Sequence, residues 1–471
     1  MFIGRDKEIA LLNDSYNSSK SEITIVYGRR RIGKSTLVGT FTKSKPYVYF
    51  FEGIEGLNTP SQIKHFSDIL KKQTQDPLLS SVNLSSWDAV FTYVSERIIQ
   101  KSDRNQKLIF FIDEIQWMAS GRSSFVSLLK YYWDNFWKKS NVLLILCGSI
   151  ASFMVEKVIH SRALYGRIDL EILLKGLRPL EAKAFFSEKK STEEILKYYL
   201  ILGTIPKYME YINQNRSFNW NMNRLFFSPH GAMTNEIQKI FYSQFKESTL
   251  YFDIVKLLKT GNLSLLEISK QLKVKSGGGL KRYLINLENA EIIKSYIPFD
   301  KKANSKLCKY GLADEYLNFY YKYIEPNNRI IKESSSNKLF ETLTGKSFDI
   351  WMGFAFEKFC LKNAAWLAEI LGFKDEVLLA SPYFKRGDKK FQIDLIYLRA
   401  DKVITICEIK HYSKEVSSKI IVDMQQKLKQ LPVPKGHSIE TALISIYGPD
   451  KNLKNTGFFD YYVTMEDIFS F

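Results

Sequence analysis

The stretch EITIVYGRRRIGKSTLVGTF, Glu22 to Phe41, restricts the fold more than any other part of the 471-residue chain. Its first seven residues are β-branched and apolar, the pattern of a buried strand. They run into Gly28-x4-Gly33-Lys34-Ser35, and TLVGTF then reads as the start of a helix. Strand, glycine loop and helix in that order make a phosphate-binding loop. The glycines let backbone N–H groups curl around phosphates, and the helix N-terminus adds its positive end. Lys34 supplies a point charge to the β- and γ-phosphates of a nucleotide, and Ser35, with Thr36 beside it, a hydroxyl for Mg²⁺. A loop of this kind belongs to an α/β fold with a parallel sheet.

KLIFFIDEIQWM supplies a second anchor. Its apolar run predicts a strand buried on both faces, ending in Asp113 and Glu114. One carboxylate at such an end can hold Mg²⁺ and the next can orient an attacking water; the plainer alternative is a strand ending in solvated acids. NVLLILCGS predicts a third strand, with Ser149 at its tip placed to sense a γ-phosphate.

The length implies two to four domains, and 33 Phe with 27 Tyr can build large cores. Lysine and arginine exceed acids by 68 to 50, a formal charge of +18. That excess favours a polyanionic partner such as nucleic acid, with a solvated basic surface as the alternative. Cys147, Cys308, Cys360 and Cys407 are scattered, which argues against a disulfide framework and a zinc site. The start MFIGRDKEIA has no apolar signal region, and VLLILCGSIASFMV is too short and polar to span a bilayer. A cytoplasmic protein without membrane contact is expected.

FIGRDKEIALL, GRRRIGKST, IDEIQW, LCGS, LYGR and GTIPKYM, in this order, resemble the archaeal-type ATPase family of the AAA+/STAND branch of P-loop NTPases. The resemblance implies ATP as ligand, Phe2 and Ile3 near its adenine, Asp113 on Mg²⁺ and Glu114 as catalytic base. It implies that Arg167 of LYGR is the sensor or finger arginine, with Arg162 second, in the same subunit or across a homo-oligomer. The alternative for Arg167 is a surface ion pair. Pro206 of GTIPKYM would pack beside the base from a helical lid. Arg29, Arg30 and Arg31 either raise the local potential, face a neighbouring domain or lie on a solvated loop face.

Residues 246–309 hold 13 Lys and Arg against 6 Asp and Glu. STLYFDIVKLLKTG predicts a helix ending at Gly261, and SLLEISKQL a second, with Ser264 and Glu267 as a capping box. KSGGGLKRYLINLENAEII predicts a turn and a third helix, and IIKSYIPFD with SKLCKYGLAD a hairpin. Three short helices and a hairpin make a winged helix-turn-helix, with Lys281 and Arg282 near the start of its DNA-reading helix. A rigid lid or protein-docking module is the alternative.

ADEYLNFYYKYIEPNNRII predicts an aromatic helix stopped at Glu325-Pro326, and KESSSNK a polar linker. FDIWMGFAFEKFCLKNA then predicts a helix with Glu357 on its apolar side. FQIDLIYLRADKVITICEIKHY predicts a hairpin turning at RADK, with Asp394 on one strand and Glu408-Ile409-Lys410 on the other. Period-two alternation puts Glu408 and Lys410 on one face, where Asp394 can sit beside Glu408. Two close carboxylates need a cation, and hard oxygen donors suit Mg²⁺ or Mn²⁺. A lysine beside the metal can polarise water or stabilise charge on phosphorus, Glu357 can complete the site, and Gln425 of DMQQKLKQL can face it. The arrangement resembles the PD-(D/E)xK nuclease fold, with Ile393 where proline often stands; the plain alternative is an ion pair on two strands. His411 falls on the opposite face from Lys410.

The fold class expected is therefore α/β: a P-loop ATPase core with a parallel sheet (1–170), helical lid (171–245), winged helix-turn-helix (246–312), helical linker (313–345) and an α/β restriction-endonuclease-like domain (346–471). The function expected is ATP-controlled action on DNA with metal-dependent cleavage. The alternative is a nucleotide-switched DNA-binding regulator or scaffold whose last domain does not cut, and a weaker third is protein binding without nucleic acid.

Overall fold

The computed structural model describes residues 2–80, 84–103, 105–119, 124–245, 249–299, 308–334, 336–385 and 391–471. The expected start of the winged helix at 246, the tip of its hairpin at 300–307 and Ser335 of the polar linker lie outside the described residues. The chain divides into two compact units, Met1–Leu177 and Arg178–Phe471. Among the described residues no helix is long and apolar enough to cross a membrane.

The first unit is built on five parallel strands: β1 (Glu22–Tyr27), β2 (Val48–Glu52), β3 (Leu108–Asp113), β4 (Val142–Gly148) and β5 (Leu170–Leu173), in the order β2-β3-β4-β1-β5. Every residue of β3 and β4 is buried, as the unbroken apolar runs require of strands covered on both faces. One face packs on a cluster rich in aromatics, including Phe91, Phe125, Trp133 and Trp137. The expected boundary at 170 coincides with the first residue of β5, which pairs with β1 and so continues the sheet. The segment leaving β5 forces the glycine at the start of the phosphate loop: a Cβ on Gly28, whose φ is +147°, would stand 2.4 Å from the Leu174 carbonyl oxygen.

The second unit opens with helices, among them Thr192–Leu202 and Phe218–Phe226. Next come helices Thr249–Leu258, Leu265–Leu272 and Gly278–Asn289. With them goes a small antiparallel sheet of β6 (Leu263–Ser264), β7 (Ile293–Tyr296) and β8 (Lys309–Leu312), ordered β6-β8-β7. The capping box forms: Ser264 Oγ accepts from the Glu267 N–H at 3.3 Å, and Glu267 accepts from the Ser264 N–H at 2.7 Å.

The expected helix stop at Glu325-Pro326 is not observed. Glu315–Phe319 passes through a widened turn at Tyr320–Ile324 and a tightened one at Glu325–Asn327 into Asn328–Glu333. Pro326 sits in the first residues of the tightened turn, where its missing N–H costs no intrahelical bond.

Helix Ser347–Lys362 follows, and then a mixed sheet. Its strands are β9 (Val377–Lys385), β10 (Phe391–Arg399), β11 (Val403–Lys410), β12 (Ser438–Ser445) and β13 (Tyr461–Val463), ordered β13-β12-β11-β10-β9. β9, β10 and β11 pair antiparallel, β11, β12 and β13 parallel. The RADK turn joins β10 to β11, with Lys402 at φ +65°.

The helices at 192–202 and 347–362 are tied together. Tyr199 meets Phe359 edge-on at 5.4 Å, and Lys362 Nζ ties the same helix to a third one, Glu315–Phe319, lying 2.8 Å from Glu315 Oε2. Both of these side chains are mostly buried, so removing one partner leaves a poorly solvated charge. Lys362→Met is therefore expected to cost about 3 kcal/mol, read by chemical denaturation. Adding Glu315→Leu to it should restore most of that loss.

Candidate functional site

In the first unit, β4 lies between β1 and β3, so the phosphate loop, Ser149 and the Asp113-Glu114 pair stand side by side at the carboxyl ends of adjacent strands. Gly33, at φ +93°, caps helix Lys34–Thr42. Lys34 is buried at 5% exposure, its Nζ donating to the carbonyls of Gly28 at 3.1 Å and Arg29 at 3.0 Å. An ammonium has three donors, so one is left for an anion. Ser35 and Thr36 are exposed on the first turn of that helix. Of the three arginines, Arg29 is buried, Arg30 exposed and Arg31 half-buried at φ +71°. The run is thus not simply a solvated face.

Arg5, not singled out from the sequence, is buried and donates from Nη2 to the Ile32 carbonyl at 3.2 Å. It ties the N-terminal segment, with half-buried Phe2 and Ile3, to the loop. The only sequence signal for it was its place in FIGRDKEIALL.

At the end of β3, Asp113 is buried at 3% exposure, and its Oδ1 accepts from the Glu114 N–H at 2.8 Å. Glu114 has a left-handed backbone, φ +50°, uncommon for a residue with a side chain. Ser149 Oγ donates to Glu114 Oε2 at 2.7 Å, and the Gln116 side-chain amide donates to the same oxygen. Glu52 ends β2 directly opposite Asp113. Burial first, then Asp113 and Glu114, push its carboxyl above the usual range. Ser35 and the buried acid Asp113 are hard oxygen donors of the kind that fit Mg²⁺ beside a nucleotide.

Arg167 is engaged elsewhere in the same unit. Its Nε and Nη2 donate to the two oxygens of Asp134 at 2.7 and 2.9 Å, and this pairing holds the Asp134 carboxyl below its ordinary value. Arg162 is exposed. Pro206 starts the short helix Pro206–Met209 of the second unit.

The second unit brings Glu357, Asp394, Glu408 and Lys410 into one cleft of about 430 Å³. Glu357 comes from helix Ser347–Lys362 and the other three from β10 and β11. Lys410 Nζ lies 2.8 Å from Glu408 Oε1. Lys427, not picked out from the sequence, lies 2.6 Å from Oε2. Asp394 Oδ2 accepts from the Ile409 N–H at 3.1 Å, and Oδ1 takes a long 3.3 Å bond from Gln392. Helix Ile420–Gln430 lines the cleft with Asp423, Gln426, Lys427 and Gln430. These recur every three to four residues, one helical face; Gln425 is exposed and lies outside that lining, a correction of one helical position. His411 meets the Phe356 ring at 5.8 Å, and burial lowers its pKa.

Burial, then Glu408, raise the Asp394 carboxyl. For Lys410, burial acts to lower the pKa, but the Glu408 carboxylate outweighs it and raises it. Among the described residues no three His, Cys, Asp or Glu side chains are gathered as a metal cluster. Asp394 and Glu408 offer a pair of hard oxygen donors that fit Mg²⁺ or Mn²⁺, with further oxygens from a phosphate or water. In the small helical and β6–β8 part, Lys281 and Arg282 are exposed near the start of Gly278–Asn289, as are Lys270, Lys273 and Lys275 before it.

Residues 2–212 match the family of ATPase domains found predominantly in Archaea. Residues 320–421 match a family of archaeal and bacterial proteins of unknown function. An uncharacterized protein of Methanocaldococcus jannaschii is 29% identical over 87% of this chain and 87% of its own length. An uncharacterized ATP-binding protein of Pyrococcus abyssi is 22% identical over 61% of this chain and 97% of its own. A solved Walker-type ATPase of Pyrococcus abyssi shares the fold, with TM-score 0.51 and 21% identity over 68% of this chain and 96% of that one. Residues 2–212 thus form an ATPase domain similar to this archaeal type, and residues 320–421 are similar to the second family.

Glu357 carries the pH signature of the cleft. Burial, then Asp394 and Glu408, against Lys410 and Lys427, push its carboxyl up to about 7 from 4.5. Between these values the folded protein binds more protons than the unfolded chain, so this group's contribution to stability falls as pH rises through that window. Glu357→Gln should melt higher than the parent near pH ~8, with the gain shrinking to nothing below the lower value, at about pH 4.

Proposed function

We propose that the chain couples ATP hydrolysis to action on DNA, and that its C-terminal cleft is a metal-dependent phosphodiesterase. One observation carries the nuclease part: a helix acid, two strand acids and a lysine, 53 positions apart in sequence from Glu357 to Lys410, line a single cleft. The basic excess of the chain and the exposed cations around helix Gly278–Asn289 support DNA as the partner.

In the ATP site, Lys34 and the loop N–H groups would hold the β- and γ-phosphates, Ser35 and Asp113 the Mg²⁺, and Phe2 and Ile3 the base. Glu114 would take the proton of the attacking water as its oxygen bonds to the γ-phosphorus and the ADP oxygen leaves. Ser149 would contact the γ-phosphate. Arg167 would stabilise the transferred phosphoryl group only after exchanging Asp134 for it, in cis or across a homo-oligomer. Pro206 would close on the base from the lid.

In the cleft, Asp394 and Glu408 would hold Mg²⁺ or Mn²⁺, which when bound lowers the pKa of water and neutralises phosphate charge. Lys410 would orient the attacking water, and Glu357 would hold or release a proton near the scissile phosphate. The three helices and β6–β8 would form the winged helix, with Lys281 and Arg282 on DNA phosphates or base edges. A second reading, a nucleotide-switched DNA-binding regulator that does not cut, is favoured by the two lysines that occupy both oxygens of Glu408.

Plasmid, branched and single-stranded DNA, incubated with Mg²⁺ or Mn²⁺ with and without ATP, separate the two readings. Cutting that Glu408→Ala abolishes, and that Lys34→Ala makes independent of ATP, is the expected result. Intact ATP hydrolysis and DNA binding without cutting would establish the regulator instead. In the binding assay, Lys281→Ala with Arg282→Ala should weaken DNA affinity and flatten the slope of log K against log salt by about 1–2.

A further inference from the structure

In IDEIQW, the glutamine two places after the second acid has no part in the roles given above. Gln116 is 2% exposed, in the short turn Ile115–Met118 that follows Glu114. Its amide nitrogen donates to Glu114 Oε2 and lies 3.3 Å from Ser149 Oγ. Ser149 itself donates to that same Oε2. Both donors thus converge on one oxygen, and Oε1 accepts no side-chain or backbone bond among the described residues.

The other end of the amide is unsatisfied. Gln116 Oε1 is buried without a hydrogen-bond partner among the described residues. It packs against Gly148, the last residue of β4, where a Cβ would come within 2.8 Å of it. A buried orphan carbonyl is unfavourable, and a leucine or methionine would fill the same space without one. What an apolar side chain could not supply is the N–H bond to Glu114.

We propose that Gln116 is a positioning residue for ATP hydrolysis, holding the plane of the Glu114 carboxylate so that Oε1 is turned to the attacking water. A carboxylate has a broad terminal torsion, and Ser149 alone can fix the position of Oε2 but not rotation about that contact. A second donor on the same oxygen, from a side chain clamped by Gly148, stops the rotation. The inference rests on the reading of Glu114 as the base.

The test measures ATP turnover and equilibrium ATP binding on the full chain, for Gln116→Leu, Gln116→Glu, Glu114→Gln and Gln116→Leu combined with Glu114→Gln. Gln116→Leu should lower kcat about tenfold or more, as misplacing a reacting group does. KM and ATP affinity should stay within about twofold, the pattern of an interaction made only in the transition state. In the Glu114→Gln background the leucine should cause no further loss. Gln116→Glu keeps the shape, places a carboxylate against Glu114 and should also lower kcat; it serves as the test if the leucine variant does not fold.

Full turnover by Gln116→Leu overturns the proposal. So does an equal loss in both backgrounds, which would mark a structural role, or a loss confined to ATP binding. Turnover that survives Glu114→Gln would instead remove the base assignment itself, an outcome distinct from failure at Gln116.

Discussion

Burial of β3 and β4 along their whole length leaves polar chemistry nowhere to go but the strand ends. An ionised or hydrogen-bonding side chain inside these strands would lose its water without gaining partners. Asp113, Glu114 and Ser149 therefore appear where the strands stop, and the strand order brings them beside the phosphate loop. The loop depends on the same packing: the chain leaving β5 passes so close to Gly28 that no side chain fits. Sheet order and glycine placement are two views of one steric arrangement.

The second unit solves a harder electrostatic problem. Glu408 is 1% exposed and Asp394 9%, and Glu357 stands close enough to both for its carboxyl to be raised by them. Lys410 and Lys427 offset part of that repulsion at Glu408, while Asp394 draws on the Ile409 N–H. A divalent cation would offset the remainder, and it would compete with the two ammonium groups for Glu408. Under the proposed function, charge balance at this one buried carboxylate would decide whether the cleft takes up a cation.

What the sequence made legible follows from how local each signal is. The phosphate loop, the Ser264–Glu267 cap and the RADK turn each depend on residues within a few positions, and all are present in the structure. The pairing of Asp394 with Glu408 was readable because a short hairpin fixes its own register. Lys427 was not, because it reaches Glu408 from a helix whose rotational setting depends on tertiary packing. The one-position difference between Gln425 and Gln426 has the same cause. The continuation past Pro326 was hidden because proline forbids a helix interior but not a tightened first turn. Arg167 shows the converse limit: its motif was recognisable, whereas the aspartate that binds it, 33 positions earlier, was not.

Helix Ser347–Lys362 touches two different environments along its length. Glu357 faces the cleft, whereas Phe359 and Lys362 grip Tyr199 and Glu315. A helix is stiff along its axis, so these contacts behave as the two arms of a short beam. A rotation of the Thr192–Leu202 helix large enough to shift Tyr199 would be transmitted to the cleft as a displacement of its proton-bearing acid, with no change in the strands that carry Asp394, Glu408 and Lys410.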